Sequence, residues 1–267
     1  MTFTVIIPAR YQSERLPGKP LMDIEGQSLI QRVYHQARKS RAQRVIVATD
    51  DQRIVDHVQA FGGEVCLTSA SHPSGTDRLY EACTLNGFNQ DQIIVNVQGD
   101  EPLIPPDVIN QVAENIVRHA VPAATLGEKI KNLGDVFNEN IVKAVFDEAG
   151  YALYFSRAPL PWIRGSYNSV RESTSDLTAL SVESRHLFGQ SVLRHIGIYA
   201  YRTSLLGEFV QWPEAPIEKL ERLEQLRILW KGYKIHIEES RLGFPQGVDT
   251  PDDLERVRKF IRETTSQ

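Results

Sequence analysis

The chain of 267 residues carries 30 basic and 34 acidic side chains, for a formal net charge of −4, and 41% of its residues are hydrophobic. This balance is typical of a soluble globular protein and excludes a disordered or fibrous chain. Because general binding to nucleic acids or to anionic membranes depends on a basic excess, the charge argues against both.

The first part of the chain alternates between apolar strands and amphipathic helices. Strands are predicted at Thr4–Ile7, Arg44–Thr49 and Gln92–Val97, where nearly continuous apolar runs indicate burial on both faces of a parallel sheet. Helices are predicted at Ser28–Lys39, Asp51–Ala60, Thr76–Cys83 and Asp107–His119. This alternation is typical of a doubly wound, mostly parallel α/β sheet of the Rossmann-like type.

The second part is less regular. It contains predicted strands at Ile141–Phe146, Tyr151–Arg157, Ile196–Tyr201 and Lys234–Glu239, and predicted helices at Glu218–Trp230 and Pro251–Arg262. The polar segment Arg164–Gln190 is interpreted as an excursion, either a surface loop or a short extra helix. Since no internal repeat or clean linker interrupts the chain, we predict a single α/β domain over 1–267, with a smaller mixed-sheet part at about 150–215.

The cysteines and the first ten residues indicate the cellular compartment of the protein. Cys66 and Cys83 lack CxxC spacing, and two thiols in a chain of this size indicate a reducing compartment, although one disulfide is arithmetically possible. The opening MTFTVIIPAR lacks the basic segment and long apolar core of a signal peptide. No apolar run reaches the ~18–20 residues needed to cross a bilayer. We expect a cytoplasmic protein without membrane insertion.

A basic loop, PARYQSERLPGKPL, follows the first predicted strand. Loops at the carboxyl ends of parallel strands bind ligands in α/β sheets, and the cations of this loop suit a polyphosphate. The candidate nucleotide-binding residues here are Arg10, Ser13, Arg15 and Lys19. The alternative is a solvated basic loop partly neutralised by Glu14. The loop matches neither the P-loop pattern nor the glycine fingerprint of dinucleotide-binding proteins.

Two carboxylates are candidate magnesium ligands. Asp100 follows a predicted buried strand in VNVQGDEP, where one or two carboxylate oxygens can hold Mg²⁺ beside water and phosphate. The alternative is that Asp100 only stabilises a turn. Asp249, in GVDTPDDLERV, is either a second metal ligand or part of a helix start, in which Asp252 and Asp253 favour the positive end of the helix.

The segment HPSGTDR precedes a predicted helix and is a weaker candidate for contact with the nucleotide. The hydroxyls and backbone amides of Ser74, Gly75 and Thr76 suit the edge of a nucleobase, and Arg78 follows them. The alternative is an ordinary helix start in which Thr76 is the cap.

A further group suits an acidic, polyhydroxylated ligand. Arg157 is cationic, and His195 and Tyr199 lie four apart on a predicted strand, so their side chains point to one side. Glu221, Glu224 and Gln225 stand at i, i+3 and i+4 on a predicted helix, so they share one helical face. Taken singly, each residue has a simpler interpretation, such as a solvated helix charge, a structural histidine or a core tyrosine.

Seven blocks in this order closely resemble the 3-deoxy-manno-octulosonate (Kdo) cytidylyltransferases, or CMP-Kdo synthetases. They are PARYQSERLPGKPL, HPSGTDR, VNVQGDEPLIPP, YALYFSRAPLPW, RHIGIYAYR, LEQLRILW and VDTPDDLERV. The resemblance implies a nucleotide-diphospho-sugar transferase-like fold and an enzyme that forms CMP-Kdo and pyrophosphate from CTP and Kdo with Mg²⁺, for the lipopolysaccharide inner core. It further implies a cytoplasmic homodimer whose smaller mixed-sheet part serves dimerisation.

The resemblance also assigns roles to the candidate residues. Lys19, Arg15 and Arg10 would hold the CTP phosphates, with Lys19, Arg15 and Asp100 taking part in catalysis. Asp100 and Asp249 would be the Mg²⁺ ligands, and Ser74 with its neighbours would meet the nucleotide. The sugar side would comprise Gln98, Arg157, His195, Tyr199, Gln225 and one or both of Glu221 and Glu224.

Several alternatives stay open at this point. CMP transfer to another acidic sugar, such as 8-amino-Kdo or a sialic acid, would use similar hydrogen-bonding residues. A non-catalytic nucleotide-binding protein of the same fold is a second alternative, since fold alone does not imply function. A dinucleotide-dependent oxidoreductase is disfavoured by the missing glycine fingerprint. The segment Gly165–Gln190 is longer than the family leads us to expect, and its role is open.

Overall fold

The protein is described by a computed structural model that covers residues 1–12, 16–72, 74–165, 167, 177–243, 245 and 247–265. The strands in this part of the chain, numbered β1 to β11, are Phe3–Ala9, Asp23–Ile24, Gln27–Ser28, Arg44–Thr49, Glu64–Leu67, Ile93–Asn96, Ala123–Glu128, Lys143–Phe146, Ala152–Ser156, Val192–Arg202 and Ile235–Glu239. The helices, α1 to α10, are Leu29–Arg38, Gln52–Ala60, Gly75–Leu85, Pro106–Arg118, Leu133–Phe137, Val182–Ser191, Thr203–Phe209, Pro216–Glu221, Gln225–Trp230 and Pro251–Thr265.

One nine-stranded sheet organises the molecule. Its main path runs β11-β7-β10-β6-β1-β4-β5, and β8 and β9 extend it from β10 as an antiparallel branch. Strands β5, β4, β1 and β6 are mutually parallel, whereas β10 is antiparallel to both β6 and β7. The prediction of a doubly wound, mostly parallel sheet with a smaller mixed part is therefore confirmed. The boundaries of the domain and of its 150–215 subregion stay a prediction.

The parallel strands form because their side chains are buried on both faces. Val5 and Ile7 pack in one apolar cluster, together with Ile30 and Val33 of α1, while Ile6 points to the opposite face. Burial on both faces explains the nearly continuous apolar runs in the sequence. The carboxyl ends of β1, β4 and β6 consequently meet at one edge of the sheet, and the candidate loops follow from that edge.

The predicted helix over Glu218–Trp230 is wrong, because α8 ends at Glu221 and α9 begins only at Gln225. Arg222 adopts the left-handed conformation, with φ of 52°, which interrupts the helix. The break is bridged by a buried ion pair in which Arg227 donates to both carboxylate oxygens of Glu218, at 2.5 and 2.8 Å.

Strand β10 is irregular where it crosses the sheet. Its pairing with β7 shifts between Ile196 and Tyr199, which leaves Gly197 and Ile198 as extra residues in a bulge. Two extra residues preserve the alternation of sides, so His195 and Tyr199 still face the same way, with ring centroids 5.3 Å apart. The prediction that their side chains share one side is confirmed.

The polar excursion contains a helix within its described residues. Helix α6 covers Val182–Ser191 and begins at Ser181, whose hydroxyl accepts the backbone N–H of Ser184 at 3.1 Å. Most of 166–176 lies outside the described residues. Cys66 and Cys83 are both free thiols. Among the described residues, the helices are too short or too polar to cross a lipid bilayer.

The buried histidine His236 is expected to make stability fall with acid. His236 stacks on His119 with ring centroids 3.6 Å apart, and burial, reinforced by His119, lowers the pKa of His236 to about 4. Arg118 adds to this lowering, whereas Glu238 and Asp147 oppose it. The unfolded chain therefore binds a proton that the folded chain does not, and stability is lost as the pH falls from about 6.5 towards about 4.

At pH 5 this single linkage is expected to remove about 2 kcal/mol. The His236→Phe variant should accordingly lose about that much less stability than the parent between pH 7 and pH 5. Urea unfolding of both proteins at the two pH values measures the difference. Equal losses in both would contradict the assignment.

Candidate active site

Lys19 lies between two carboxylates at the edge of the sheet. Its Nζ donates to Asp100 Oδ2 at 2.8 Å and to Asp249 Oδ1 at 3.1 Å. Burial tends to lower the pKa of Lys19, but Asp100 and Asp249 together hold it above its ordinary value. The structure thus joins three residues that lie far apart in the sequence, and it brings the two predicted metal ligands to one point.

Close backbone approaches make this convergence possible. A Cβ at position 99 would lie 2.7 Å from the carbonyl oxygen of Pro8, so only glycine lets the loop after β6 approach β1. A Cβ at position 247 would similarly lie 2.7 Å from the carbonyl oxygen of Asp100. The next residue, Val248, donates its N–H to that same carbonyl at 2.8 Å. The chain before Asp249 is therefore tied directly to the main chain of Asp100.

Glu101 adds a third carboxyl group beside this pair. Its Oε2 is buried without a hydrogen-bond partner among the described residues. Burial, reinforced by the nearby charge of Asp100, raises the pKa of Glu101 to about 8. The Glu101 side chain lies next to the metal-ligand candidates, although only its neighbour Asp100 in VNVQGDEP was predicted as a metal ligand.

The donor set fits a hard divalent cation. The two carboxylates already share one cation, the Lys19 ammonium. The position of the Lys19 nitrogen thus marks a point that both carboxylates can reach with positive charge. No three His, Cys, Asp or Glu side chains form a ready metal cluster within the described part of the chain. That arrangement suits Mg²⁺, which is usually bound by one or two carboxylates and completes its shell with water and substrate phosphates.

The basic loop and the loop after β4 flank a groove of about 590 Å³, lined in part by Arg10, Tyr11 and Asp51. Arg10 is exposed and donates to the backbone carbonyl of His72 at 3.0 Å, which links it to the loop before α3. The guanidinium of Arg53 stacks on Tyr11, 3.3 Å from the ring centroid. Ser13 and Arg15 lie outside the described residues.

Arg78 is placed differently from the other nucleotide candidates. Its side chain is fully buried and donates to Asp50 Oδ2 at 2.7 Å and to the hydroxyl of Thr68. These bonds tie α3 to the loops after β4 and β5. In this position Arg78 supports those loops. Its guanidinium is not exposed, as direct contact with a ligand would require.

The start of α3 is capped by Ser74, and the alternative of Thr76 as the cap is wrong. Ser74 Oγ accepts the N–H of Asp77 at 3.2 Å and donates to the Asp77 carboxylate. Thr76 is released from capping, and its hydroxyl donates to Glu224 Oε2 at 2.8 Å. This bond connects a predicted nucleotide segment with a predicted sugar-side residue, across 148 positions of sequence.

Thr76 and Glu224 line a small cavity of about 280 Å³ between α3, β10 and the break before α9. Its lining includes the predicted residues Gly75, Thr76, Gln98, His195, Tyr199, Glu224 and Gln225. Gln98 reaches across to the carbonyl of Gly197 at 3.3 Å, in the bulge of β10. Burial lowers the pKa of His195 to about 3, so its ring is neutral, with one nitrogen that donates a hydrogen bond and one that accepts.

A second cavity of about 510 Å³ adjoins the first through His195 and Gly197. Its lining includes Asp100 and Asp249 from the carboxylate side and Arg157 from the end of β9. Carboxylates and a guanidinium in one cavity can hold a metal ion and an anionic group at once. The predicted metal and sugar residues are therefore contiguous in space.

Glu221 hydrogen-bonds to Arg157 and does not line this cavity. Its carboxylate accepts the N–H of Arg157 at 2.9 Å and the hydroxyl of Ser156 at 2.5 Å, and its carbonyl accepts Arg157 Nε at 2.8 Å. Glu221, Glu224 and Gln225 do not share one helical face, because the chain breaks between α8 and α9. Of the two glutamates, Glu224 is the one that faces a cavity.

Sequence reasoning also missed polar residues of the larger cavity that lie near Arg157. Arg194, Asn140 and Glu128 line it beside Arg157. Arg194 directly precedes the predicted site residue His195 in the RHIGIYAYR block. This adjacency in the sequence could have indicated that Arg194 lies at the site. Asn140 and Glu128 carry no comparable signal, because each lies in a stretch where a surface polar residue is the ordinary interpretation.

Comparison with known proteins places this site in context. The sequence profile of a family described as "Cytidylyltransferase" matches residues 4–235. The 3-deoxy-manno-octulosonate cytidylyltransferase of Vibrio vulnificus (strain YJ016) is 54% identical over 261 residues, covering 98% of both chains. That of Photobacterium profundum is also 54% identical over 261 residues, covering 98% of this chain and 100% of its own.

Solved structures give the same picture. A CMP:2-keto-3-deoxy-manno-octonic acid synthetase complexed with CTP superposes with a TM-score of 0.84 at 38% identity, covering 98% of this chain and 99% of its own. A cytidylyltransferase from Leptospira borgpetersenii (serovar Hardjo-bovis, strain JB197) has a TM-score of 0.57 at 15% identity, over 99% of this chain and 95% of its own, a likeness of fold alone.

Proposed function

This chain belongs to the 3-deoxy-manno-octulosonate cytidylyltransferase family, and from that premise we propose how its site joins CTP to Kdo. The reaction forms CMP-Kdo and pyrophosphate, and the product supplies Kdo for the lipopolysaccharide inner core. The observation that carries the proposal is the convergence of Lys19, Asp100 and Asp249 beside two contiguous cavities.

The nucleotide is assigned to the side of the basic loop. Arg10 and Lys19, together with Arg15 and Ser13, would bind the triphosphate, since guanidinium groups and ammonium groups complement phosphate oxygens. Ser74, Gly75 and Thr76, at the start of α3, would contact the nucleotide. The bond from Arg10 to the carbonyl of His72 supports this grouping, because it joins the two segments.

Asp100 and Asp249 would hold Mg²⁺. When bound there, the ion would neutralise phosphate charge and lower the pKa of the attacking hydroxyl. Lys19 would exchange contact with the carboxylates for contact with the phosphates, where its charge stabilises the leaving pyrophosphate. Phosphoryl transfer of this kind is catalysed chiefly by positioning and charge, so the chain needs no covalent nucleophile.

The sugar is assigned to the cavities on the β10 side. Arg157 would pair with the Kdo carboxylate, and Gln98, His195, Tyr199, Glu224 and Gln225 would bind its hydroxyls. In this assignment the anomeric hydroxyl of Kdo attacks the α-phosphorus of CTP in line with the departing pyrophosphate. A neutral His195 suits a hydroxyl, to which it can donate or from which it can accept.

The assembly and location are part of the same proposal. We place the enzyme in the cytoplasm, where CTP is available, and we propose a homodimer formed through the mixed-sheet part. Support comes from exposed apolar side chains there, including Leu153 on β9 at 62% and Leu187 on α6 at 57%. Light scattering of the purified protein measures the mass, and a monomer at micromolar concentration would contradict the dimer.

Pyrophosphate release tests the function. The protein is incubated with CTP, Mg²⁺ and Kdo, beside parallel reactions with 8-amino-Kdo, a sialic acid or no sugar. We expect release with Kdo that EDTA abolishes and that UTP or GTP does not support. Preference for another acidic sugar would move the specificity, and silence with every sugar in folded protein that binds CTP would favour a non-catalytic role. The family relationship favours the Kdo reaction over both alternatives.

A further inference from the structure

A charged side chain is buried next to the sugar half of the site without touching its cavities. Lys143, on β8, has no exposed surface. Its ammonium donates to three backbone carbonyls, those of Asn138 at 3.0 Å, Ile141 at 2.7 Å and Arg157 at 2.6 Å. All three of its donor positions are thereby used.

Two of these acceptors belong to a turn that contributes to the larger cavity. Asn138 and Ile141 flank Glu139 and Asn140, and Asn140 lines that cavity. The carbonyl of Glu139 accepts Arg157 Nη1 at 2.9 Å. Lys143 therefore fixes both ends of the turn 138–141. This turn holds the guanidinium of Arg157 through the carbonyl of Glu139.

The third acceptor is Arg157 itself. Its carbonyl is bound by Lys143, and its N–H is bound by the carboxylate of Glu221 at 2.9 Å. The guanidinium is held from two directions, by the carbonyls of Glu221 and Glu139. The main chain of Arg157 is thus fixed on both sides of its Cα, and Lys143 supplies one side.

The buried ammonium of Lys143 carries a desolvation cost that its three hydrogen bonds offset. Burying a charge is costly unless it is paired, and here the ammonium bonds only to neutral carbonyls. Burial lowers the pKa of Lys143 to about 8, while Glu221 opposes this effect. An apolar side chain would avoid the desolvation cost but would leave the carbonyls of Ile141 and Arg157 without this donor. The lysine therefore holds the turn 138–141 and the main chain of Arg157 in one fixed arrangement.

We propose that Lys143 is a positioning residue for the recognition of the acidic sugar, acting through Arg157 and the turn 138–141. The proposal rests on the proposed function, in that Arg157 meets the carboxylate of Kdo. Since misplacement of a binding group by about 1 Å can cost up to a hundredfold, loss of the three bonds should weaken use of the sugar selectively. Use of CTP should change little, because its residues lie on other loops.

The test compares Lys143→Met with the parent in steady-state kinetics for both substrates. We expect the KM for Kdo to rise by about tenfold to a hundredfold and the KM for CTP to stay within about twofold. The matched control is Gln111→Met, which removes a buried side chain that donates to the carbonyl of Glu239 at 2.9 Å and accepts from the N–H of Arg241 at 3.0 Å. It should lower the melting temperature without raising the KM for Kdo.

A double-mutant cycle separates positioning from a general structural role. If Lys143 acts through Arg157, Lys143→Met should add little to the rise in KM for Kdo in an Arg157→Ala background. Additive effects, an unchanged KM for Kdo or an equal rise for both substrates would each overturn the proposal. Should Lys143→Met fail to fold, Lys143→Gln, which keeps a donor, is expected to give a smaller rise, and an unchanged KM would have the same meaning. Absence of activity in the parent would instead refute the proposed function.

Discussion

Replacement of Asp100 by asparagine is expected to lower kcat by about 10³-fold while leaving the fold intact. A metal ion that neutralises charge in phosphoryl transfer contributes several kcal/mol to the barrier, and each 1.36 kcal/mol is a factor of ten in rate. Asparagine keeps the shape of the side chain but removes its charge. Asp249→Asn should have a comparable effect, because both carboxylates contact the same Lys19 ammonium.

The measurement is kcat over a range of Mg²⁺ concentrations, together with a circular-dichroism melt to establish folding. Asp252→Asn serves as the matched control, since it removes a carboxylate three residues from Asp249 in the first turn of α10. We expect its kcat to stay near that of the parent. Turnover close to normal in either Asp100→Asn or Asp249→Asn would refute that residue as a metal ligand.

Replacement of Lys19 by methionine is expected to lower kcat/KM for CTP by about 10²- to 10³-fold, the range seen when one donor that stabilises a developing charge is removed. The loss should fall on the triphosphate, so the KM for Kdo should change little. Methionine retains most of the length and apolar volume of the lysine stem. Unchanged CTP kinetics would contradict the assignment of Lys19 to the phosphates.

The same variant should also be less stable in the absence of metal. In the parent, Lys19 neutralises Asp100 and Asp249, and without it the two carboxylates repel each other. Added Mg²⁺ should therefore raise the melting temperature of Lys19→Met by more than that of the parent. Lys39→Met, at the end of α1, is the control for loss of a lysine charge and should behave like the parent in both measurements.

The regular part of the fold was predictable because local pattern and tertiary burial agree there. Strand β4 was predicted at its observed bounds, Arg44–Thr49, since each of its apolar residues is buried. Strand β7, Ala123–Glu128, was missed because its alanine and glycine residues have little preference for strands. Its neighbours β10 and β11 determine its conformation, and a single sequence does not reveal them.

The site was predictable by residue type more than by arrangement. Charge and position after a strand were enough to single out Lys19 and Asp100, but the pairing of both with Asp249 depends on how distant loops meet. The break at Arg222 was hidden, because a left-handed residue other than glycine has no clear signature in the sequence. That break separates the roles of Glu221 and Glu224, which the sequence left open.

The bond between Lys19 and Asp249 spans 230 positions, which has a consequence for biosynthesis. A ribosome makes the basic loop and Asp100 well before the segment that carries Asp249. At the usual rate of about 5–20 residues per second, synthesis reaches Asp249 roughly 7 to 30 seconds after it reaches Asp100. The arrangement in which Lys19 contacts both carboxylates can therefore form only after the segment around Asp249 has been made.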